Sequence, residues 1–320
     1  MTAALAIGVD VGGTKIALAA VDAQGHIHAQ QRIPTRAGES PDLTLDRMAQ
    51  AVRSLLTDTG IAPDDTQRLL GIGIGCPGPV DSANGVAQNA VNLGWREVPV
   101  CLPLRDRLQL PGLAVFIEND VKAAALGEYV YGAARDCDNF VYVAIGTGLG
   151  GCAMLNGRII NGASGMATEL GHVVSHPGGR LCPCGQRGCV EMSASGKGLL
   201  AAYADYQADY PASTLNDGQP ISTARILAAA RAGDPLSQRI TDEAADTLGL
   251  ALAWTVGVLN PSRIVIGGGL GHAAADLLLR RAQAVIQART LPDAHAALDL
   301  IPGALSEAAL GAAALVWHRQ

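Results

Sequence analysis

The stretch LAIGVDVGGTKIALAAV, residues 5–21, decides the fold of this chain. Its apolar first part, 5–11, predicts a buried strand, Gly12-Gly13-Thr14 predict a tight turn, and the residues from Lys15 onward predict a second strand. Glycines lack a Cβ, so backbone N–H groups of the turn can approach phosphate oxygens, while Thr14 and Lys15 add a hydroxyl and a cation. Walker A spacing is absent. The stretch therefore predicts a hairpin phosphate loop, with an ordinary tight hairpin as the alternative.

The same strand–turn–strand pattern recurs at Phe140–Ile145, 146–151 and Cys152–Leu155. The second loop, GTGLGG, has the same phosphate-binding chemistry as the first. It is not a dinucleotide fingerprint, because a strand pattern follows it and that fingerprint requires a helix. The recurrence predicts an internal duplication with two similar lobes facing each other.

Length and composition favour a two-domain α/β protein. At 320 residues the chain is too long for one ordinary core. We expect a small N-terminal lobe over 1–118, completed by the C-terminal helix 304–320, and a large lobe over 119–303. The net charge is −6 without a basic cluster, which argues against a nucleic-acid partner. The absence of a signal pattern or a long apolar run argues against a membrane and predicts a cytoplasmic protein.

Further elements follow from the hydrophobic pattern and the turn residues between apolar segments. The predicted strands are a third one ending at Pro34, then Leu70–Ile74, Leu113–Ile117 and Arg263–Ile266. The predicted helices are Leu43–Thr59, a segment ending near Val130, Arg239–Leu259 and Ser306–Trp317. A third glycine loop, GGGLG at 267–271, lies between the end of a strand and the start of a helix. It either packs its backbone against the base or ribose of a nucleotide or is an ordinary start of a helix.

The segment Glu118-Asn119-Asp120 lies between a buried strand and an alanine-rich helix. Asn119 and Asp120 therefore fall at the N-cap or in the first turn, where they serve as ordinary helix caps in many proteins. Alternatively, Asp120 accepts the proton of a hydroxyl that attacks a γ-phosphate, and Asn119 holds a neighbouring hydroxyl. The helix dipole helps to keep the carboxylate ionised.

One histidine and three cysteines have the composition of a structural zinc site. They are His172, Cys182, Cys184 and Cys189, within eighteen residues of one another. All four tetrahedral positions are filled, which predicts a structural rather than a catalytic ion. Glu169 and Glu191 flank the cluster and either capture sugar hydroxyls or lie on a solvated surface.

Together these segments resemble the ROK family (repressors, open reading frames, kinases) from Asp10 to Gly311. The segments that carry the resemblance are DVGGTK, GIGIGCPGPVD at 71–81, ENDVKAAALGE at 118–128, AIGTGLGG at 144–151, and ELGH followed by CPCGQRGCVE. The resemblance implies a two-lobed actin-like ATPase fold, related to ribonuclease H, with an active-site cleft between the lobes. It also implies a sugar kinase that uses ATP, Mg²⁺ and a structural Zn²⁺, frequently as a homodimer or dimer of dimers.

The resemblance also implies a role for each matching residue. Asp120 is then the general base. The implied sugar ligands are Asn92, Asn119, Asp120, Glu169, His172 and Glu191. The implied ATP contacts are Gly12, Gly13, Thr14, Lys15, Thr147, Gly148, Gly268 and Gly269. His172 would serve zinc and sugar through its two nitrogens, beside Cys182, Cys184 and Cys189.

Two residues depart from the family pattern. Lys122 stands where asparagine is common in the family. One expectation is that it pairs with an acidic group or shifts the pKa of the base. The other, which we favour, is that it is a surface replacement. Cys152 stands where a glycine is common and would narrow the space near the phosphates.

The segment NLGW at 92–95 resembles the one that glucokinases of this family have beside the sugar. With the complete set of implied Asn, Asp, Glu, His and Glu ligands, this resemblance leads us to expect glucose as the substrate. N-acetylmannosamine, N-acetylglucosamine, allose and fructose stay open as alternatives, and polyphosphate as the phosphoryl donor. A sugar-sensing repressor is less favoured, because the phosphate loop begins at residue 10 and leaves no room before it for a DNA-binding domain.

Overall fold

A computed structural model describes residues 3–62, 65 and 67–318. The strands are β1 Leu5–Val11, β2 Lys15–Val21, β3 Ile27–Pro34, β4 Leu69–Cys76, β5 Val80–Asp81, β6 Val86–Ala90, β7 Trp95–Pro99, β8 Val115–Asn119, β9 Phe140–Ile145, β10 Leu149–Leu155, β11 Arg158–Ile159, β12 Arg263–Gly267 and β13 Asp299–Pro302. The helices are α1 Pro41–Thr59, α2 Cys101–Leu108, α3 Asp120–Val130, α4 Glu191–Ala194, α5 Gly196–Tyr206, α6 Thr223–Arg231, α7 Pro235–Leu259, α8 Gly269–Ala273, α9 Ala275–Arg289, α10 Pro292–His295 and α11 Ala308–His318.

The chain divides into two compact units. The first unit comprises the described residues up to Asp136, Asn161–Ala167 and the described residues from Ala304 onward. The second unit comprises Cys137–Ile160 and Thr168–Gly303. The position 118 that we expected as the boundary lies inside the first unit, because α3 continues from β8 and packs against α11 and β4 of that unit.

Each unit contains a five-stranded sheet, and the two sheets are built in the same way. The orders are β3-β2-β1-β4-β8 in the first unit and β11-β10-β9-β12-β13 in the second. In each sheet an antiparallel hairpin supplies two neighbouring strands, β1 and β2 or β9 and β10. The strands that pair in parallel lie on the other side of β1 or β9, and they are β4 and β8 in the first sheet and β12 and β13 in the second. The shared order supports the duplication predicted from the two glycine-turn patterns. A separate sheet, β5-β6-β7, belongs to the first unit and was not predicted.

Helix α11 covers one face of the first sheet at very close range. A Cβ placed on Gly8 would lie 1.9 Å from the carbonyl oxygen of Ala309, and one on Gly73 would lie 1.9 Å from that of Ala312. Both sheet positions must therefore be glycine for the helix backbone to approach. The α11 residues that face inward are alanines, leucines and a glycine, and they are buried.

The hydrophobic pattern located most of the elements, with differences at their ends. The turn expected over 146–151 is shorter, because Leu149 already pairs with Ile145 in the β9–β10 ladder. The strand expected at Leu113–Ile117 lies two residues later, as β8. None of the described helices combines the length and apolar character that crossing a bilayer requires.

Candidate functional site

Three parallel strands of the first unit end at the same edge of its sheet. Asp10 of β1 pairs with Gly75 of β4, and Gly75 pairs with Glu118 of β8. A Cβ on Gly75 would lie 3.7 Å from Asp10 Oδ1 and 3.6 Å from the Cα of Asp120. The carboxyl ends of parallel strands are the usual location of functional groups in α/β sheets. This edge brings Asp10 and Asp120 close together.

Asp120 is the first residue of α3, and Asn119 is its N-cap, as predicted. The Asn119 side-chain oxygen accepts hydrogen bonds from the backbone N–H groups of Val121 and Lys122, at 3.0 and 3.2 Å. Its amide nitrogen donates to the Gly78 carbonyl and to Asp120 Oδ1, both at 3.1 Å. The Asp120 carboxylate also accepts from the Val121 N–H at 2.9 Å. Asn119 therefore caps the helix and orients the Asp120 carboxylate.

Asp10 is a functional candidate that the sequence prediction did not single out. Burial, and to a smaller extent the charge of Asp120, raise its pKa to about 7 against the opposing effect of Lys15. A carboxyl group that titrates near neutral pH beside a second carboxylate is common at active sites. The available signal was an aspartate inside an otherwise apolar strand, immediately before a glycine turn.

The first glycine loop forms the β1–β2 turn, as predicted. The Gly12 N–H donates to the Lys15 carbonyl at 3.0 Å, and the Thr35 hydroxyl donates to the Gly12 carbonyl at 2.6 Å. Thr14 and Lys15 are exposed. The Gly13 position lies next to Asn92, whose Cβ would be 3.6 Å from a Cβ on Gly13. The first unit thus brings Asn92 and this loop together.

The second glycine loop belongs to the second unit and is held by Glu191. The Glu191 Oε2 accepts a hydrogen bond from the Leu149 N–H at 3.0 Å, and a Cβ on Gly148 would lie 2.3 Å from the same oxygen. The Gly146 and Thr147 carbonyls accept from the backbone N–H groups at the start of α5, at 2.9 and 3.1 Å. Glu191 is buried and lies within 4.0 Å of the Lys197 ammonium. Glu191 therefore supports the loop, a role that its position in the sequence did not indicate.

The third glycine loop lies against the second one. Gly268 has a φ of +82°, and a Cβ there would lie 2.5 Å from the Ile145 carbonyl oxygen, at the end of β9. Glycine is required at this position by both the backbone conformation and the contact. Gly269 begins α8, with no atom within 4 Å of the Cβ position. The second unit therefore brings Thr147, Gly148, Gly268 and Gly269 to one edge of its sheet.

The predicted zinc ligands converge in the second unit. His172, Cys182, Cys184 and Cys189 each offer one ligand atom, and these atoms all lie within 4.8 Å of one another. Cys184 Sγ lies 3.6 Å from Cys189 Sγ, and Cys182 Sγ lies 3.7 Å from His172 Nδ1. Two sulfurs bound tetrahedrally at Zn–S distances of about 2.3 Å are about 3.8 Å apart. The three sulfurs and one nitrogen therefore fit a zinc ion.

The segment from His172 to Cys189, which we call the metal loop, is connected to the helices around it by Arg180. Its guanidinium donates to Asp205 at 2.6 Å, to the Met192 carbonyl at 3.1 Å and to Glu243 at 2.5 Å. The Tyr206 hydroxyl donates to the other oxygen of Glu243, also at 2.5 Å. Because Met192 follows Glu191 in α4, this network connects the metal loop to the helix that carries Glu191 and to the helices that carry Asp205 and Glu243.

The two remaining predicted sugar ligands lie next to each other in the second unit. Glu169 is exposed and precedes a single 3₁₀ turn, Leu170–His172, in which the His172 N–H donates to the Glu169 carbonyl at 3.0 Å. The structure thus brings Glu169 and His172, a member of the metal cluster, together in one turn. Asn92, Asn119 and Asp120 belong to the first unit.

The expectation that Lys122 is a surface replacement is wrong. Only 7% of Lys122 is exposed. Its ammonium donates to Asn161 Oδ1 at 2.7 Å and to the Gly165 carbonyl at 2.9 Å. Both partners are neutral, so neither contact is the acidic pair considered as the alternative. The other departing residue, Cys152, is fully buried within β10.

The model of the ROK family matches residues 6–319. The chain belongs to the ROK family. A curated ROK-type relative, the glucokinase of Halalkalibacterium halodurans, is 36% identical over 291 residues, which cover 89% of this chain and 86% of that protein.

Solved ROK structures resemble the chain over nearly its whole length. The ROK family glucokinase from Streptomyces griseus, in complex with glucose and AMPPNP, has a TM-score of 0.78 at 32% identity and 98% coverage of both chains. A ROK family transcriptional regulator, a homologue of the E. coli MLC protein, has a TM-score of 0.86 at 29% identity, covering 98% of this chain and 77% of that one. The fold is therefore the α/β actin-like ATPase fold of ROK proteins, as predicted.

Proposed function

We propose that this ROK protein is an ATP-dependent sugar kinase that converts glucose to glucose 6-phosphate, with Asp120 as the general base. The observation that carries the proposal is the Asn119–Asp120 pair at the start of α3. A carboxylate is oriented there by an amide at 3.1 Å, at the carboxyl edge of the first sheet. The similarity to glucokinases supports this choice of reaction.

The proposed step is a direct phosphoryl transfer. The C6 hydroxyl oxygen forms a bond to the γ-phosphorus of ATP, and the bond from that phosphorus to the bridging oxygen breaks, which releases ADP. The hydroxyl proton passes to the Asp120 carboxylate. Phosphoryl transfer depends on positioning and on neutralising charge, and Mg²⁺ bound to ATP supplies part of that neutralisation.

The loops of both units contribute backbone groups suited to a nucleotide. In the proposal, the turn from Gly12 to Lys15 and the turn at Thr147 and Gly148 bind phosphates through N–H groups. Gly268 and Gly269 present backbone without side chains, which favours a base or ribose over a polyphosphate donor. Glu191, which accepts the Leu149 N–H, would fix the second loop for this purpose.

The sugar contacts are proposed on chemical grounds. Carboxylates, amides and imidazole accept and donate hydrogen bonds to hydroxyls, and Asn92, Glu169, His172 and Glu191 supply these groups. The zinc ion would hold His172 through Nδ1, the atom nearest to Cys182 Sγ, and leave Nε2 for a sugar hydroxyl. Cys184 and Cys189 complete the proposed zinc site.

Replacing Asp120 tests the proposed base. We expect Asp120→Asn and Asp120→Ala to lower kcat by about 10²–10⁴-fold, the usual contribution of general acid–base catalysis. A coupled assay of ADP release under saturating ATP measures the change. Asp120→Asn retains an oxygen for the Val121 N–H, so its fold should persist.

The control for this experiment is Asp58→Ala, an exposed aspartate on α1. We expect turnover equal to that of the unmodified protein. Substantial turnover by both Asp120 variants would refute the assignment of the base.

A panel of sugars under ATP tests the choice of glucose. Glucose, N-acetylmannosamine, N-acetylglucosamine, allose and fructose differ at the positions that hydrogen-bonding ligands contact. We expect the highest kcat/KM for glucose. A much higher value for an N-acetylhexosamine or for fructose would overturn the choice of glucose and leave the kinase assignment in place.

A sugar-sensing regulator is the second candidate, and the similarity to a ROK transcriptional regulator favours it. Such a protein would bind sugar without turnover. Glucose binding measured by calorimetry, with no ADP release above the rate of Asp120→Asn for any sugar of the panel, would support the regulator and exclude the kinase.

A further inference from the structure

Lys122 is a buried cation bound to one short segment of the chain. Its side chain lies on α3, two residues after Asp120, and 7% of the residue is exposed. The ammonium donates to the side-chain oxygen of Asn161 at 2.7 Å and to the backbone carbonyl of Gly165 at 2.9 Å. Both acceptors belong to residues 161–167, which we call the strap.

The strap is unusual in its connections. Residues Asn161–Ala167 belong to the first compact unit, although the chain on either side of them belongs to the second. The strap closes on itself through a hydrogen bond from the Ala167 N–H to the Asn161 carbonyl at 3.1 Å. Most of its residues are exposed. Little burial therefore holds it, and the Lys122 ammonium supplies two of its contacts with α3.

The charge around Lys122 explains why the ammonium stays inside the protein. It lines a cavity of about 540 Å³ together with Glu118, Ser82 and the strap. The Glu118 carboxylate is itself engaged, accepting from the Ser82 hydroxyl and the Asn119 N–H, both at 2.9 Å. A buried cation is costly unless it is hydrogen-bonded, and an opposite charge in the same cavity offsets part of that cost. The strap oxygens supply the hydrogen bonds.

We propose that Lys122 is a positioning residue that fixes the strap and, through it, the sugar-binding segment that begins at Glu169. The strap ends at Ala167, only two residues before Glu169, and Thr168 between them has a φ of +66°. A constrained backbone of this kind transmits the position of the strap to the next residues. The inference rests on the proposed function, because the sugar contact of Glu169 is part of that proposal.

The length and charge of the side chain are both required. Charge-assisted hydrogen bonds are roughly twice as strong as neutral ones, and two of them converge on one ammonium here. Lys122→Met keeps a long apolar stem and removes the ammonium. Lys122→Arg keeps the charge and donors. The two variants therefore separate the hydrogen bonds from the packing of the stem.

Steady-state kinetics test the effect on sugar binding. We expect Lys122→Met to raise the KM for the sugar about tenfold, because small misplacements of a substrate contact have large effects. The kcat and the KM for ATP should stay within about twofold of the values of the unmodified protein. Lys122→Arg should keep most of the sugar affinity that Lys122→Met loses. A loss of active protein alone would lower the apparent kcat and leave the sugar KM unchanged, which would overturn the proposal.

A double-mutant cycle tests the partner. Asn161→Ala removes one acceptor from an exposed residue and should raise the sugar KM in the same direction as Lys122→Met. If the two side chains act through one bond, the double variant should be no worse than the more damaged single variant. Fully additive effects on the sugar KM would overturn the assignment of Asn161 as the partner of Lys122.

Hydrogen exchange separates this inference from the proposed function. In the sugar-free protein, backbone amides of the strap should exchange faster in Lys122→Met than in the unmodified protein, while those of α1 should not change. Equal exchange would overturn the anchoring by Lys122 even if the protein is a kinase. If the unmodified protein neither binds nor phosphorylates any sugar, the proposed function fails and, with it, the effect on sugar affinity, whereas faster strap exchange would still support the anchoring.

Discussion

At the residue scale, two aspartates of the first unit show how opposite surroundings act on the same side chain. Burial and the nearby charge of Asp120 together raise the pKa of Asp10 to about 7. Burial also acts to raise the pKa of Asp22, but hydrogen bonds from His28, His26 and Gln24 outweigh it and lower the pKa to about 2. The Asp10 carboxylate therefore lowers the stability of the protein at neutral pH, and the Asp22 carboxylate raises it.

Replacing Asp10 should stabilise the protein in a pH-dependent manner. The pKa in the folded state is about 7 and the ordinary value is 3.8, so the folded protein holds a proton that the unfolded chain releases, and the side chain destabilises the fold progressively from about pH 4 to pH 7. We expect Asp10→Asn to be more stable than the unmodified protein at pH 8. The gain should be about 2–3 kcal/mol larger at pH 8 than at pH 5. Thermal unfolding without ATP or Mg²⁺ at both pH values measures this difference.

Asp22→Asn provides the matched control, with the opposite sign. Its depressed pKa contributes stability above about pH 4, and that contribution is lost as the pH falls toward 2. The variant should therefore be less stable than the unmodified protein at pH 7. A constant difference between Asp10→Asn and the unmodified protein across the pH range would contradict the role of the Asp10 charge.

Sequence reasoning at this scale found residue types more easily than contacts. It predicted the four metal-ligand candidates from their spacing, whereas the choice of Asp120 depended on its place between a buried strand and a helix and on the family resemblance. It missed Asp10, and it placed Lys122 on the surface, because burial of a charge depends on partners distant in sequence. Asn161 lies 39 positions from Lys122, and no local pattern connects the two.

At the element scale, the metal loop is a segment whose conformation depends on a few side chains. It contains two isolated bridges, Val174 with Cys189 and Leu181 with Arg187, and otherwise little regular structure. An element with so few backbone pairings needs cross-links to keep one conformation. The cysteines would supply these through the proposed zinc ion, and Arg180 supplies them through Glu243.

Removal of one metal ligand should release the ion and loosen this segment. We expect the unmodified protein to contain about one zinc per chain, and Cys189→Ser to retain far less of it, since structural zinc contributes directly to folding. Elemental analysis and thermal unfolding measure the two effects. Sugar affinity should fall as well, because in the proposed function His172 binds both the zinc ion and a sugar hydroxyl.

Cys137→Ser is the control for the metal experiment. Cys137 is also a buried thiol, but it lies outside the cluster and contacts the Ser262 hydroxyl at 3.3 Å. Its zinc content should not change. Equal zinc content in Cys189→Ser and the unmodified protein would contradict the assignment of the cluster.

At the scale of the whole molecule, one sheet plan is used in each of the two units. Periodicity revealed this plan, because apolar strands and glycine turns are local signals. The membership of the strap in the first unit was not predictable, because it depends on long-range contacts such as that of Lys122 with Gly165. The boundary expected at 118 followed from a local strand–helix junction, whereas the packing of α3 on α11 decides where that helix belongs.

The close approach of α11 to the first sheet predicts a strict requirement for glycine. A side chain at Gly73 would meet the backbone of Ala312 at 1.9 Å, so the helix must move. We expect Gly73→Ala to lower the free energy of unfolding by about 1–3 kcal/mol or more, the cost of overpacking a core. Gly112→Ala, which meets no atom within 4 Å, should have little effect. Calorimetric unfolding that finds the two variants equally stable would contradict the prediction.

Helix α11 also determines when the first unit can be completed. Strands β1 and β4 precede the second unit in the sequence, and the helix that covers them follows all of that unit. Domains usually fold as the ribosome delivers them, the earliest first. Here that order is reversed, because the second unit has its entire sequence before the first receives its last layer. The apolar face of the first sheet that α11 covers therefore stays uncovered by this helix until the whole second unit has been translated.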